Sequence, residues 1–244
     1  MMMRQVLQGV TAVVVLLPAG LCAAEYTFTG TAMVDGTPTY TESHTLRGEC
    51  GERFRPRQHE VVYRSTTEDT VIGTKSLAYE ESPLRPSFDF RQPPFDERMQ
   101  LTNRGDTDAR IDWQTPAGET ETFEVGINDD VVIDAGFVHF IQANWQSLNS
   151  GRNVDFRFMG PTRGEHYAFV AEPTDSDAID AHLTVRIRPS GMILRWLVDP
   201  ITLGFDQQGR LTDYLGLTNI RQSDDNNYVA HIRYGTSRPP CPLI

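Results

Sequence analysis

Short segments in which apolar and polar side chains alternate run through most of the chain, and turn residues separate them every eight to seventeen positions. Ala109, Ile111 and Trp113 alternate with Arg110, Asp112 and Gln114; Phe123, Val125 and Ile127 with Thr122, Glu124 and Gly126; and Val154, Phe156 and Phe158 with Asp155 and Arg157. Leu183, Val185 and Ile187 continue the pattern, as do Tyr228, Ala230, Ile232 and Tyr234. Period-two alternation turns one face of a strand inward and leaves the other wet, which belongs to antiparallel sheets rather than to a doubly wound parallel sheet. The punctuation agrees: Asp35-Gly36, Asn103-Arg104-Gly105-Asp106, Pro116-Ala117-Gly118 and Asp224-Asp225-Asn226-Asn227 are turn chemistry. Roughly twelve to fourteen strands are expected, too many for one flat sheet, so the fold class is mainly β. It takes the form of a curled antiparallel sheet or barrel-like single domain. Pro83, Pro86, Pro93 and Pro94 mark a longer irregular crossing between two strand groups.

One segment has a different period. Phe137, Val138, Phe140, Ile141, Trp145 and Leu148 share one side of a helix, with Asp134 placed to cap its start and Gly151 to stop it. A packed amphipathic helix is expected. Its other side, with His139, Gln142, Ala143, Gln146 and Ser147, carries no charge. That face is either merely neutral or lies at the mouth or inside of the barrel, where charge is costly.

The first 24 residues have the layout of a secretory leader: Arg4, an apolar run from Val10 to Leu17, a Pro18-Ala19-Gly20 break and the small-residue end Cys22-Ala23-Ala24. Cleavage is expected after Ala24, which makes residues 25–244 the folded domain and the periplasm its destination. Val10 to Leu17 is far too short to span a bilayer. Lipid attachment at Cys22 is the weaker reading, because Leu21 stands where that signal has a small residue. Cys50 and Cys241 then remain, in a compartment that permits a disulfide, and are expected to pair.

The 244 residues carry a formal charge of -11, and residues 25–244 hold 21 basic against 33 acidic side chains. Nucleic acid is therefore not an expected partner. The acids are dispersed and form no calcium-binding loop. No phosphate-binding glycine loop, dinucleotide fingerprint or nucleophile elbow occurs, so no cofactor is implied.

Candidate chemistry concentrates in the strand from Thr39 to Arg47, where Tyr40, Glu42, His44 and Leu46 share a face. Neighbours on that face lie about 6.5 to 7 Å apart, close enough for an acid and an imidazole to meet. The other histidines are scattered singly and supply no metal-ligand spacing, so no metal is assigned. The stretch Tyr40-Thr41-Glu42-Ser43-His44, followed by Val61-Val62-Tyr63-Arg64, Ile72-Gly73-Thr74-Lys75, Pro86-Ser87-Phe88-Asp89-Phe90-Arg91 and Glu97, resembles uncharacterised proteobacterial exported proteins. Those proteins share a tyrosine-x-acid-x-histidine strand, a lysine strand and an acid-x-arginine segment. The resemblance implies export and a curved β architecture but no reaction. Where it leads us to expect a glycine-containing turn, this chain has Gln92-Pro93-Pro94-Phe95-Asp96.

Tyr40, Glu42, His44, Lys75, Asp89, Arg91 and Glu97 are thus the candidate site. They form either a paired plug that specifies the fold or the polar end of a ligand pocket. The leading functional expectation is a periplasmic protein that binds a small amphipathic or lipid-like molecule in a barrel interior. The alternatives are an enzyme of hydrolase-like acid–base chemistry, with His44 oriented by Glu42 and assisted by Lys75 or Arg91, and an envelope interaction protein without a small ligand.

Overall fold

The computed structural model describes residues 22–191, 199–235 and 237–244. Its strands are β1 (Cys22–Val34), β2 (Thr37–Cys50), β3 (Phe54–Ser65), β4 (Val71–Ala78), β5 (Ser87–Gln92), β6 (Glu97–Arg104), β7 (Asp108–Gln114), β8 (Thr120–Gly126), β9 (Val131–Val132), β10 (Val154–Gly160), β11 (Glu165–Pro173), β12 (Leu183–Pro189), β13 (Ile201–Phe205), β14 (Leu211–Arg221) and β15 (Asn227–Gly235). All fifteen belong to one sheet, ordered β8-β7-β6-β5-β4-β3-β2-β1-β15-β14-β13-β12-β11-β10-β9. Every pairing is antiparallel except that of β9 with β10. The chain meanders outward from β1 to β8, crosses over, and meanders back to pair β15 with β1.

The ladder does not close, but the sheet curls until its ends touch. His166 Nε2 lies 3.1 Å from the Gly126 carbonyl, and the ring of Phe123 fills the space beside Gly164 at the tip of the β10–β11 hairpin. Inside the curl, residues from β2 to β8 pack against β14 and β15: Tyr40, Tyr63, Leu101 and Ile111 share one core with Ile220, Ala230 and Ile232. Alternation explains which side chains enter it, since each buried residue follows its neighbour at intervals of two along β2, β6 and β15.

The crossing around the prolines is shorter than the sequence suggests, because β5 occupies Ser87 to Gln92. Phe88, Phe90 and Gln92 are buried on one face, and that alternation makes a strand between Pro86 and Pro93. The Pro93-Pro94-Phe95 turn that follows ends with Asp96 at φ 48°, so an aspartate holds the left-handed position that a glycine would normally take. The remaining crossing is fastened by Arg85, which is buried and makes a two-pronged contact with Asp106, Nε to Oδ1 at 2.8 Å and Nη2 to Oδ2 at 2.6 Å.

The amphipathic segment forms α1 (Gly136–Ala143) and α2 (Trp145–Asn149), divided at Asn144. Gly151 ends it at φ 82°, as its sequence position suggests. Asp134 is not the cap. It sits at φ 45° outside the helix, and its second carboxylate oxygen goes to Lys75. Phe140, Ile141 and Leu148 pack against Val185, Ile187, Leu203 and Phe205. The uncharged face points partly into the curl: His139 meets the Tyr79 ring edge-on at 5.3 Å, and Gln142 Nε2 donates to the Gly209 carbonyl at 2.9 Å. Gly136 permits this seat, because any side chain there would collide with the Leu84 carbonyl.

The long strands β1 to β3 project beyond the rest as a three-stranded tongue. A disulfide between Cys50 and Cys241 pins the C-terminal tail to it. Phe54 N donates to the Pro242 carbonyl at 2.8 Å, and Cys241 and Leu243 pack with Tyr26, Leu46 and Phe54. Residues Cys22 to Ala24 continue β1 opposite Gly48 to Cys50, so cleavage after Ala24 would remove three pairs of this ladder. Among the described residues no helix is long and apolar enough to cross a membrane.

Candidate functional site

The candidate residues divide among four places. The first is a buried relay on β2 and its neighbours. Glu42 and His44 face inward as their spacing requires, and His44 Nε2 lies 3.1 Å from Glu42 Oε2. The same carboxylate oxygen accepts from the Tyr234 hydroxyl at 2.9 Å. His44 Nδ1 lies 2.9 Å from His59 Nε2, and His59 Nδ1 lies 3.5 Å from the Tyr79 hydroxyl. Phe28 stacks on His44 with 4.4 Å between ring centroids. Tyr40 is fully buried beside this group, against Tyr63 and Tyr228.

The relay has one consistent proton order when Glu42 is a carboxylate. Tyr234 O–H and His44 Nε2–H donate to Glu42, His59 Nε2–H donates to His44 Nδ1, and Tyr79 O–H donates to His59 Nδ1. Only one proton fits between His44 Nδ1 and His59 Nε2, because two would aim N–H groups at each other. Burial, followed by the nearness of His44, His139 and Lys75, holds His59 well below the usual histidine pKa. Burial also lowers His139 to about 4 and raises Tyr234, whose proton is further held by Glu42.

Lys75 belongs to a second group. Its ammonium is 2.6 Å from Asp134 Oδ2 and lies over the rings of Phe90 and Phe88, 4.8 and 5.6 Å from their centroids. The ion pair and the two aromatic faces occupy this ammonium, so it is not presented to a ligand as a free amine.

Glu97 forms a third group across the interior. Arg221 grips it with Nε to Oε2 at 2.7 Å and Nη2 to Oε1 at 2.8 Å. Trp113 Nε1 donates to Oε1 at 2.9 Å and Gln92 Nε2 to Oε2 at 2.7 Å, while Gln92 Oε1 accepts from Arg221 N at 2.8 Å. Both carboxylate oxygens are saturated, and β5, β6 and β7 are tied to β14.

Asp89 and Arg91 lie outside altogether. Phe88 and Phe90 point inward, so the residues between and after them point out, where Asp89 pairs with Arg91 at 2.8 Å and with Arg98 at 2.6 Å. The expectation that all seven residues meet in one network is therefore corrected: Tyr40, Glu42 and His44 stay together, Lys75 and Glu97 acquire separate partners, and Asp89 and Arg91 face solvent. The sequence reading missed His59, Tyr79, Asp134, Arg221 and Tyr234. For His59 and Tyr234 a signal was present, since each alternates with buried residues, Val61 and Tyr63 in one case, Ala230 and Ile232 in the other.

Open grooves on the surface of the described residues include two near the β1 region. One, of about 480 Å³, runs over Thr27, Phe28, Ser43 and Ser237 and reaches His44. The other, of about 510 Å³, lies on the outer face of β1, β14 and β15. Met33, Leu215 and Val229 supply apolar lining, and Asp35, His231 and Arg233 polar lining. Val229 is 59% exposed, and its direct cross-strand partner Leu217, beside the groove, is 49% exposed. His231 is paired with Asp213 at 2.8 Å, whereas Arg233 has no ion-pair partner among the described residues. No three His, Cys, Asp or Glu side chains among the described residues converge to hold a metal ion. No protein-family model, curated protein or solved structure matches the chain.

Proposed function

We propose that this is an exported periplasmic protein that binds a small amphipathic, lipid-like molecule, and that it does so in the groove on the outer face of β1, β14 and β15 rather than inside the curled sheet. The observation that carries this reading is the groove's mixed lining, with apolar Met33, Leu215 and Val229 beside Arg233, which has no ion-pair partner among the described residues. Its volume of about 510 Å³ falls within the roughly 300 to 1,000 Å³ common for small-molecule sites. The interior is a poorer place for a ligand: Tyr40, Leu101, Ile111, Ile133 and Phe205 are all less than 2% exposed and pack into it. The leader pattern and the Cys50–Cys241 bridge support export.

The acid–base alternative draws less support. Both ring nitrogens of His44 are engaged, and neither Lys75 nor Arg91 stands beside it to stabilise developing charge. Organic extraction and mass spectrometry of the purified secreted protein test the proposal, together with fluorescence titration with the amphipathic anion anilinonaphthalene sulfonate. We expect a co-purifying amphipathic molecule and saturable probe uptake that is lost in Val229→Arg. An empty extract together with no saturable uptake would refute it.

A further inference from the structure

Cys50 stands between two cysteines. Its sulfur is bonded to Cys241, with Cα atoms 5.9 Å apart. On the other side it is the direct antiparallel partner of Cys22. Residues opposed in an antiparallel pair have Cα atoms about 4.5 to 5.5 Å apart and side chains on the same face, within the range of about 4.4 to 6.8 Å that a disulfide spans. Cys22 is exposed and carries a free thiol, which lies 4.0 Å from the Cys50 carbonyl oxygen. The pairing continues in register from Cys22 through Ala32 opposite Cys50 through Tyr40, so this placement is set by the ladder and not by a loose end.

We propose that Cys22 and Cys241 are alternative partners of Cys50, exchanging within one molecule. The Cys22 thiolate attacks Cys50 Sγ, the Cys50–Cys241 bond breaks, the Cys22–Cys50 bond forms, and Cys241 leaves as a thiolate that takes up the proton Cys22 lost. One disulfide and one thiol are present before and after, so no oxidant or reductant is consumed. The exchange deprives the tail of its covalent hold, leaving noncovalent contacts that include the Phe54–Pro242 hydrogen bond, the packing of Leu243 on the tongue and the Arg210 bond to the Ser237 carbonyl. It also gives leader removal a second consequence: cleavage after Ala24 discards Cys22 and commits Cys50 to Cys241.

Trypsin separates the three cysteines, because Arg4, Arg47, Arg53 and Arg233 leave peptides 5–47, 48–53 and 234–244, and the bond between Arg238 and Pro239 resists cleavage. The test uses the full 244-residue chain from cell-free translation, where no leader peptidase acts, isolated in its Cys50–Cys241 form. It is incubated folded at alkaline pH without added thiol, quenched in acid, alkylated and digested. We expect peptide 5–47 to become linked to 48–53 while the alkyl label moves from Cys22 to Cys241, at a rate independent of protein concentration. In Cys22→Ser, Cys241 should stay unlabelled throughout. If Cys22 alone is labelled at every time point, or if exchange accelerates with protein concentration, the proposal is wrong.

Discussion

His44 Nδ1 and His59 Nε2 meet at 2.9 Å inside the curled sheet, so two imidazoles share a single hydrogen-bonding proton. The contact is satisfied by one proton between the facing nitrogens and fails with two. A buried pair of this kind ties the stability of the fold to pH.

Acid should therefore weaken the protein before its carboxylates titrate. His59 and His139 have folded pKa values below the unfolded value of about 6.5, with His139 at about 4. Between those limits the unfolded chain binds protons that the folded chain does not, so the stability present above pH 6.5 drains as pH falls toward 4. Glu172, held at about 2 chiefly by Arg188, adds its own loss as pH falls from the ordinary carboxylate value of 4.5 toward 2. Urea midpoints measured from pH 7.5 to 4 should fall steadily, and His139→Gln should make the slope shallower. Parallel curves for the two proteins would show that His139 takes no part.

Arg221 and Glu97 are 124 positions apart and form a two-pronged, buried polar link across the curl. Arg221→Ala leaves a buried carboxylate without its cation and should cost about 3 to 5 kcal/mol. The double variant Glu97→Gln/Arg221→Met removes both charges and keeps amide bonding to Trp113 and Gln92 within reach, so it should recover most of that loss. Urea denaturation of the single and double variants measures the difference.

The bridge between Cys50 and Cys241 closes a sequence separation of 191 residues. In the chain beginning at Glu25, Cys241→Ser should lower stability by about 3 to 5 kcal/mol on the loop-entropy account. Cys50→Ser should match it, and the double variant should cost no more than either. Unequal single variants would indicate that one cysteine also contributes through packing.

Much of this architecture is written in local pattern. Alternation identifies β7, β8, β10, β12 and β15, and it places Glu42 and His44 on the inner face of β2. The same rule, applied to Phe88 and Phe90, already turns Asp89 and Arg91 outward; grouping them with Lys75 set aside the period-two pattern for the sake of their charges. What local pattern lacks is the way the sheet returns on itself. Lys75 meets Asp134 and Glu97 meets Arg221 only because β4 and β6 curl to face the start of α1 and the end of β14. Asp134 also shows how a short acid before a helix misleads: its carboxylate serves a distant lysine, and Ala135 holds the N-cap position with no side-chain cap hydrogen bond.

Methyl-resolved NMR during titration with anilinonaphthalene sulfonate distinguishes an amphipathic molecule held on the outside of β1, β14 and β15 from one held in the interior. Saturable shifts are expected at Met33, Leu215, Leu217 and Val229, with Val61, Leu101, Ile111 and Ile220 unmoved. Shifts concentrated on those four interior methyl-bearing residues, with the outer face silent, would contradict the outer-face proposal.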